Sequence, residues 1–145
     1  MRGYLLDINV VSELRKQERA DAHVRTWLRE HRRDEFWLSV LVVGELIRGV
    51  GLLARRDRSA AAALTSWLSA TVADYQDRIL PVTTSICVRW GRLSVPDPPP
   101  VVDGLIAATA LEHDLTLVTG NVADVSRTGV GVVNPFEPVR RPHRR

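Results

Sequence analysis

Short apolar segments alternate with segments of helical periodicity along most of the chain, and this alternation limits the folds that the sequence can adopt. The predicted strands cover residues 4–6, 36–38, 78–82, 115–118 and 130–133. Longer segments with apolar residues every three or four positions separate them. Parallel strands need a crossover connection, which is usually a helix. The sequence therefore predicts an α/β fold with a central, mainly parallel sheet flanked by helices.

Helix signals occupy the segments between the predicted strands. Predicted helices cover residues 10–19, a segment after the cap Asp21, a segment from the cap Ser39 to about residue 56, and residues 59–73, 84–93 and 104–113. The proline-rich segment 95–101 excludes a helix or an interior strand. We interpret this segment as a stiff surface loop before the last long helix.

The composition is that of one globular domain with a mild excess of basic side chains. The chain has 145 residues and a formal net charge of +3, and Lys16 is its only lysine. Arginine suits phosphate recognition, so the excess is compatible with RNA as a partner, although genome composition explains it equally well. We expect one domain over residues 1–137 and a basic, disordered tail over residues 138–145.

We expect neither export nor membrane insertion. No apolar run approaches the roughly 20 residues of a membrane helix, and the first apolar segment meets Asp7 too early for a signal peptide. A cytoplasmic location follows as an expectation. The single cysteine, Cys87, excludes an internal disulfide, and we expect it to be a small core side chain.

Three acidic residues lie where a charged carboxylate is costly unless it is paired, capping or bound to a cation. Asp7 follows the first apolar strand, Glu45 has apolar neighbours one helical turn away, and Asp103 begins an apolar helix. Each also has a structural explanation. Asp7 and Asp103 are suitable helix N-caps, and Glu45 can pair with Arg48 on the same helix.

The predicted topology brings these acids together. In a parallel sheet, the carboxyl ends of the strands and the following helix N-termini share one edge, where ligands bind. Asn121, just after a strand, lies at the same edge, although Asn121 and the nearby Asp124 are also ordinary turn residues. Several oxygen ligands suit Mg²⁺ or Mn²⁺, whereas scattered histidines and one cysteine do not suit zinc. A cation there can activate a water and polarise a phosphate.

At these residues the sequence resembles the PIN-domain family, and within it the VapC-type toxins of type II toxin–antitoxin systems. The resemblance is carried, in order along nearly the whole chain, by residues 5–14, 44–50, 90–93, 103–124 and 131–136. It implies a PIN-like domain that cuts RNA with a divalent metal ion, Mg²⁺ with Mn²⁺ as a substitute. The implied partners are a second copy of the chain, as a homodimer, and a cognate antitoxin protein that occludes the site.

The resemblance also assigns roles to residues. The family's polar positions fall on Asp7, Glu45, Asp103 and Asn121, which form the implied catalytic set, with Asp124 a second candidate for the fourth position. Asp7 and Asp103 would bind the metal directly, and Glu45 would bind it directly or through water. The implied reaction is the attack of a metal-activated water on an RNA phosphodiester.

Two positions depart from the family pattern. The family usually has a hydroxyl residue after the first acid, where this chain has Ile8, and Asn121 is an amide rather than an acid. Ile8 motivates an alternative, a catalytically degenerate PIN-like domain that only binds RNA or a protein partner. An aspartyl-phosphate phosphatase is disfavoured, because the segment Asp7-Ile8-Asn9 lacks the second acid which that chemistry usually needs.

Overall fold

Within residues 3–138, which the computed structural model describes, five strands form a central sheet. They are β1 (Tyr4–Leu6), β2 (Phe36–Ser39), β3 (Ile79–Leu80), β4 (Thr116–Val118) and β5 (Val132–Val133). Their order is β3-β2-β1-β4-β5, and every pairing between neighbouring strands is parallel. The prediction of an α/β fold with a parallel central sheet is confirmed.

Helices connect and flank these strands. They are α1 (Ile8–Lys16), α2 (Ala22–Arg29), α3 (Val40–Ala54), α4 (Arg58–Asp74), α5 (Thr84–Leu93), α6 (Val101–Glu112) and the short α7 (Val122–Val125). Single 3₁₀ turns cover residues 17–19, 33–35 and 76–78. Side chains of Asp21, Ser39, Asp57 and Thr83 accept hydrogen bonds from first-turn backbone N–H groups and so fix where α2, α3, α4 and α5 begin.

The central strands β1 and β4 are apolar because helices cover both faces of the sheet. Leu5, Leu6, Leu117 and Val118 are inaccessible to solvent. This double burial explains why the strands read as continuous apolar runs without alternation. The close packing of these two strands fixes the backbone positions of the residues that directly follow them.

The chain order reverses at the centre of the sheet, between β1 and β4. Strands β2 and β3 lie on one side of β1, while β4 and β5 lie on the other. Such a switch point leaves a crevice beyond the carboxyl ends of the two strands. Asp7 directly follows β1 and Thr119 directly follows β4, so both residues lie at this crevice.

The start of α6 differs from the prediction. The helix begins at Val101 rather than Gly104, with Pro100 at its N-cap position, so Asp103 lies inside the first turn and is not a cap. A proline is tolerated at the start of a helix because its missing N–H would be unpaired there. The proline-rich loop therefore runs directly into α6.

The prediction for Cys87 is wrong. Its side chain is exposed, because α5 buries Ile86 and the next residue points about 100° further round the helix. Of the tail predicted over residues 138–145, only Pro138 lies within the described residues. No helix among residues 3–138 combines the length and the apolar character that crossing a membrane requires.

Candidate active site

Asp7 is buried at the junction of β1 and α1, with 4% of its surface exposed. Its backbone N–H donates to the Val118 carbonyl at 3.0 Å and so extends the pairing of β1 with β4. One carboxylate oxygen, Oδ1, accepts a hydrogen bond from the Ile8 N–H at 2.8 Å. The other, Oδ2, accepts one from the Thr119 hydroxyl at 2.8 Å. Asp7 therefore caps α1 and is also held from the neighbouring strand.

Thr119 is the centre of a buried polar network that the sequence analysis missed. Its hydroxyl donates to Asp7 and accepts from the Asn9 amide at 3.1 Å and from the Asn121 backbone N–H at 3.0 Å. The Asn9 side-chain oxygen in turn accepts from the Gly120 N–H at 3.0 Å. Because each group is satisfied, the network fixes the orientation of the Asp7 carboxylate. The only sequence signal for it was a hydroxyl directly after a buried strand.

Glu45 projects from α3 with one oxygen that has no visible partner. Its Oε1 atom is buried and makes no hydrogen bond among the described residues. Burial raises the pKa of the Glu45 carboxyl, the charges of Asp7 and Asp103 raise it further, and Arg48 lowers it. The alternative explanation for Glu45, an ion pair with Arg48, is not seen among the ion pairs of residues 3–138. Glu45 is therefore an acid held near other acids, and no basic side chain within residues 3–138 forms an ion pair with it.

Asp103 lies in the first turn of α6 and faces the same acids. Burial raises the pKa of its carboxyl, and the charges of Asp7 and Asp124 raise it further. The next residue, Gly104, packs closely: a Cβ there would lie 2.9 Å from Pro99 Cγ and 3.1 Å from Trp90 Cδ1. This contact holds the start of α6, and hence Asp103, against the proline-rich loop.

Asn121 and Asp124 flank the crevice on its exposed side. Asn121 stands at the N-cap position of α7 and is exposed, and its side chain makes no cap hydrogen bond. Asp124 is also exposed, yet its charge acts on Asp103. The structure thus brings Asp124 to the acidic site as well, whereas Asn121 contributes a backbone N–H to the Thr119 network.

The site can accept a hard cation, although it is not a preformed cage. Among residues 3–138, no group of three His, Cys, Asp or Glu side chains is arranged to enclose a metal ion. Mg²⁺ commonly binds through only one or two carboxylates and keeps several waters, so an open arrangement suits it. The unpartnered Glu45 oxygen and the mutual effect of the acids on their pKa values are the features that a cation would relieve.

The raised pKa values predict a pH-dependent stability. Glu45 and Asp103 bind protons more readily in the folded chain than in the unfolded one, so their contribution to stability is greatest below the ordinary pKa values of 4.5 and 3.8 and is lost as the pH rises through the raised values. Without metal, we expect the double variant Glu45→Gln/Asp103→Asn to exceed the parent in Tm by more at about pH 8 than at about pH 5. Thermal melts in EDTA measure this difference. An equal difference at both pH values would contradict it.

A parallel sheet with several acids at its switch point defines an α/β domain with a candidate hard-cation site. The chain belongs to the PIN domain family, which matches residues 4–128. The resemblance found in the sequence is therefore confirmed.

Two curated relatives and one solved structure align with nearly the whole chain. Toxin FitB of Neisseria gonorrhoeae is 31% identical, over 91% of this chain and 97% of FitB. VapC ribonuclease Y4jK of Sinorhizobium fredii is 28% identical, over 92% of this chain and 98% of its own length. The crystal structure of FitAcB from Neisseria gonorrhoeae matches with a TM-score of 0.83 at 29% identity, covering 92% of this chain and 98% of the matched chain.

Proposed function

We propose that this chain is a metal-dependent endoribonuclease and the toxin of a bacterial toxin–antitoxin pair. The observation that carries the proposal is the convergence of Asp7, Glu45 and Asp103, from three separate elements, at the switch point of a PIN domain. One relative is named a toxin and another a ribonuclease, and both align along nearly the whole chain. A crevice with this acid set and no cation would repel an anionic substrate, so the activity requires a divalent metal.

Asp7 and Asp103 are the direct metal ligands in this proposal, and Glu45 binds directly or through a water. Mg²⁺ is the proposed ion, with Mn²⁺ as a substitute, and when bound it lowers the pKa of a water and polarises the phosphodiester. The Thr119 hydroxyl holds the Asp7 carboxylate in one orientation. Asn121 is the proposed fourth polar residue, and Asp124 is the charged group beside it.

The substitution of Ile8 for a hydroxyl residue favours a second candidate, a PIN-like domain that binds RNA or protein without cleaving. The hydroxyl that contacts Asp7 comes instead from Thr119. Incubation of total bacterial RNA with the purified protein, in Mg²⁺, Mn²⁺ or EDTA and beside Asp7→Asn, separates the two candidates. Discrete metal-dependent fragments missing from the variant support the nuclease. If the protein cleaves no RNA in Mg²⁺ and none in Mn²⁺, the domain that binds without cleaving is supported. Ile8→Thr, which restores the hydroxyl, is then the first variant to assay.

We further propose a homodimer and a cognate antitoxin as protein partners. Large apolar side chains on the outer surface, Ile47 and Leu52 of α3, are each 58% exposed, which suits a surface that a partner covers. We expect light scattering at micromolar concentration to give twice the chain mass of 16.2 kDa. A monomer mass under those conditions would contradict the dimer without bearing on the nuclease.

A further inference from the structure

A groove leads away from Glu45 between α1, α3 and α4. Its volume is about 290 Å³, and Glu45, Gly49 and Leu53 line it as one stripe of α3 at helical spacing. The remaining walls come from α1, from α4 and from the turn that joins α3 to α4. One end of the groove is thus formed by a member of the acidic site.

The floor of this groove is apolar. Leu46 and Leu64 are buried members of the interior that still reach its surface, and the half-buried Trp67 packs against the core while lining the groove. Apolar and aromatic walls of this kind accept the flat face of a nucleobase, and base–aromatic contacts tolerate any base.

The far end of the groove is basic. Arg15, Lys16 and Arg56 line it, about 10 Å along α1 from Ile8 at the end near the acids. Lys16 pairs with Glu13 at 2.7 Å, whereas Arg15 and Arg56 take part in no ion pair with any residue from 3 to 138. Arg19 extends the basic surface, because it lines an adjoining cavity with Arg15 and Lys16.

We infer that this groove holds the nucleotide next to the scissile phosphate of a single-stranded RNA. Its base lies on the floor formed by Leu46, Leu64 and Trp67, and its outer phosphate contacts Arg15 and Arg56. A single strand suits the groove because its bases are already unpaired and unstacked, whereas a base in a duplex would first have to be flipped out at a cost of a few kcal/mol. The inference rests on the proposed ribonuclease function, since the cleaved phosphate must lie at the acids beside Glu45.

A groove-filling variant tests the inference without loss of packing. A Cβ at Gly49 meets nothing within 4 Å, so Gly49→Leu projects into open groove space, and replacing a glycine inside a helix favours folding. Gly51→Leu is the matched control, because Gly51 lies on the same helix with equally open surroundings but does not line the groove. Melting temperatures of both variants verify that neither unfolds the protein.

The measurement is fluorescence anisotropy of a labelled single-stranded RNA of roughly ten nucleotides. It uses the Asp103→Asn protein with Mg²⁺, so that turnover does not interfere. We expect Gly49→Leu to weaken binding about tenfold or more, the scale of one base contact, and Gly51→Leu to leave it unchanged. Arg15→Ala and Arg56→Ala should each reduce the slope of log affinity against log salt by roughly 0.7, whereas Arg55→Ala, outside the groove, should not.

The possible outcomes test the RNA-binding role of the groove separately from the proposed cleavage of RNA at the acidic site. If the parent chain binds RNA through the groove but never cleaves it, the groove is an RNA-binding site, and the nuclease proposal falls together with the placement beside a scissile phosphate. If the parent chain cleaves RNA while Gly49→Leu binds and cleaves equally well, the nuclease stands and the inference is overturned. The groove would then belong to an apolar segment of a protein partner.

Discussion

Replacing Asp103 by asparagine should lower the rate of RNA cleavage by at least about 100-fold, because loss of even an outer partner of a metal ligand typically costs roughly 10–100-fold. The same change should raise the metal-free Tm by a few degrees. Burial and the charges of Asp7 and Asp124 raise the pKa of this carboxyl, so the ionised form weakens the folded state at neutral pH. Its removal relieves that repulsion. Cleavage assays with Mg²⁺ and melts in EDTA measure the two effects.

Asp77→Asn is the matched control for this prediction. Asp77 is exposed in the 3₁₀ turn at residues 76–78, and it forms none of the ion pairs found in the described part of the chain. We expect Asp77→Asn to leave both the rate and the Tm unchanged. Cleavage by Asp103→Asn at the parent rate would show that the acid is misassigned, whatever its Tm.

Thr119→Val should lower cleavage by roughly 10–100-fold and raise the Mg²⁺ concentration needed for half-maximal rate, since the hydroxyl orients a proposed ligand. Valine keeps the shape but removes the donor to Asp7 and the acceptor for Asn9 and Asn121. Leaving buried polar groups unsatisfied costs about 1–3 kcal/mol of unfolding free energy. Metal titrations of the initial rate, together with urea unfolding, test both parts.

Two further variants distinguish loss of the Asp7 orientation from a general loss of folding stability. Thr119→Ser retains the hydroxyl and should recover most of the activity. Thr71→Val removes another buried threonine hydroxyl, one that donates only to the Trp67 carbonyl of its own helix at 2.9 Å, and should not change the metal requirement. If Thr119→Val and Thr71→Val behave alike in the metal titration, Thr119 serves the fold alone.

Local patterns in the sequence were sufficient for the architecture. The alternation of apolar strands with helical periodicity predicted the parallel sheet, and the side-chain caps at Asp21 and Ser39 lie where the sequence placed them. The start of α6 was predicted wrongly. Asp103 resembles an N-cap and suggested a start at Gly104, but the helix begins at Val101 because a proline is tolerated at a helix start. Cap and strand signals depend on residues only a few positions apart, so they can be recognised from the sequence without the tertiary structure.

The acidic site could be predicted only in part from such local patterns. Local sequence patterns were enough to show that Asp7 ends a buried strand and that Glu45 and Asp103 lie in apolar helical surroundings. The rule that parallel strands share a carboxyl edge then predicted that these acids meet. Only the folded chain reveals that the Thr119 hydroxyl, 112 residues away along the chain, bonds to Asp7, and that Glu45 Oε1 has no hydrogen-bond partner among residues 3–138. Hydrogen bonds and charge repulsion depend on distances across the sheet, and these distances are set by the packing of segments that lie far apart in the sequence.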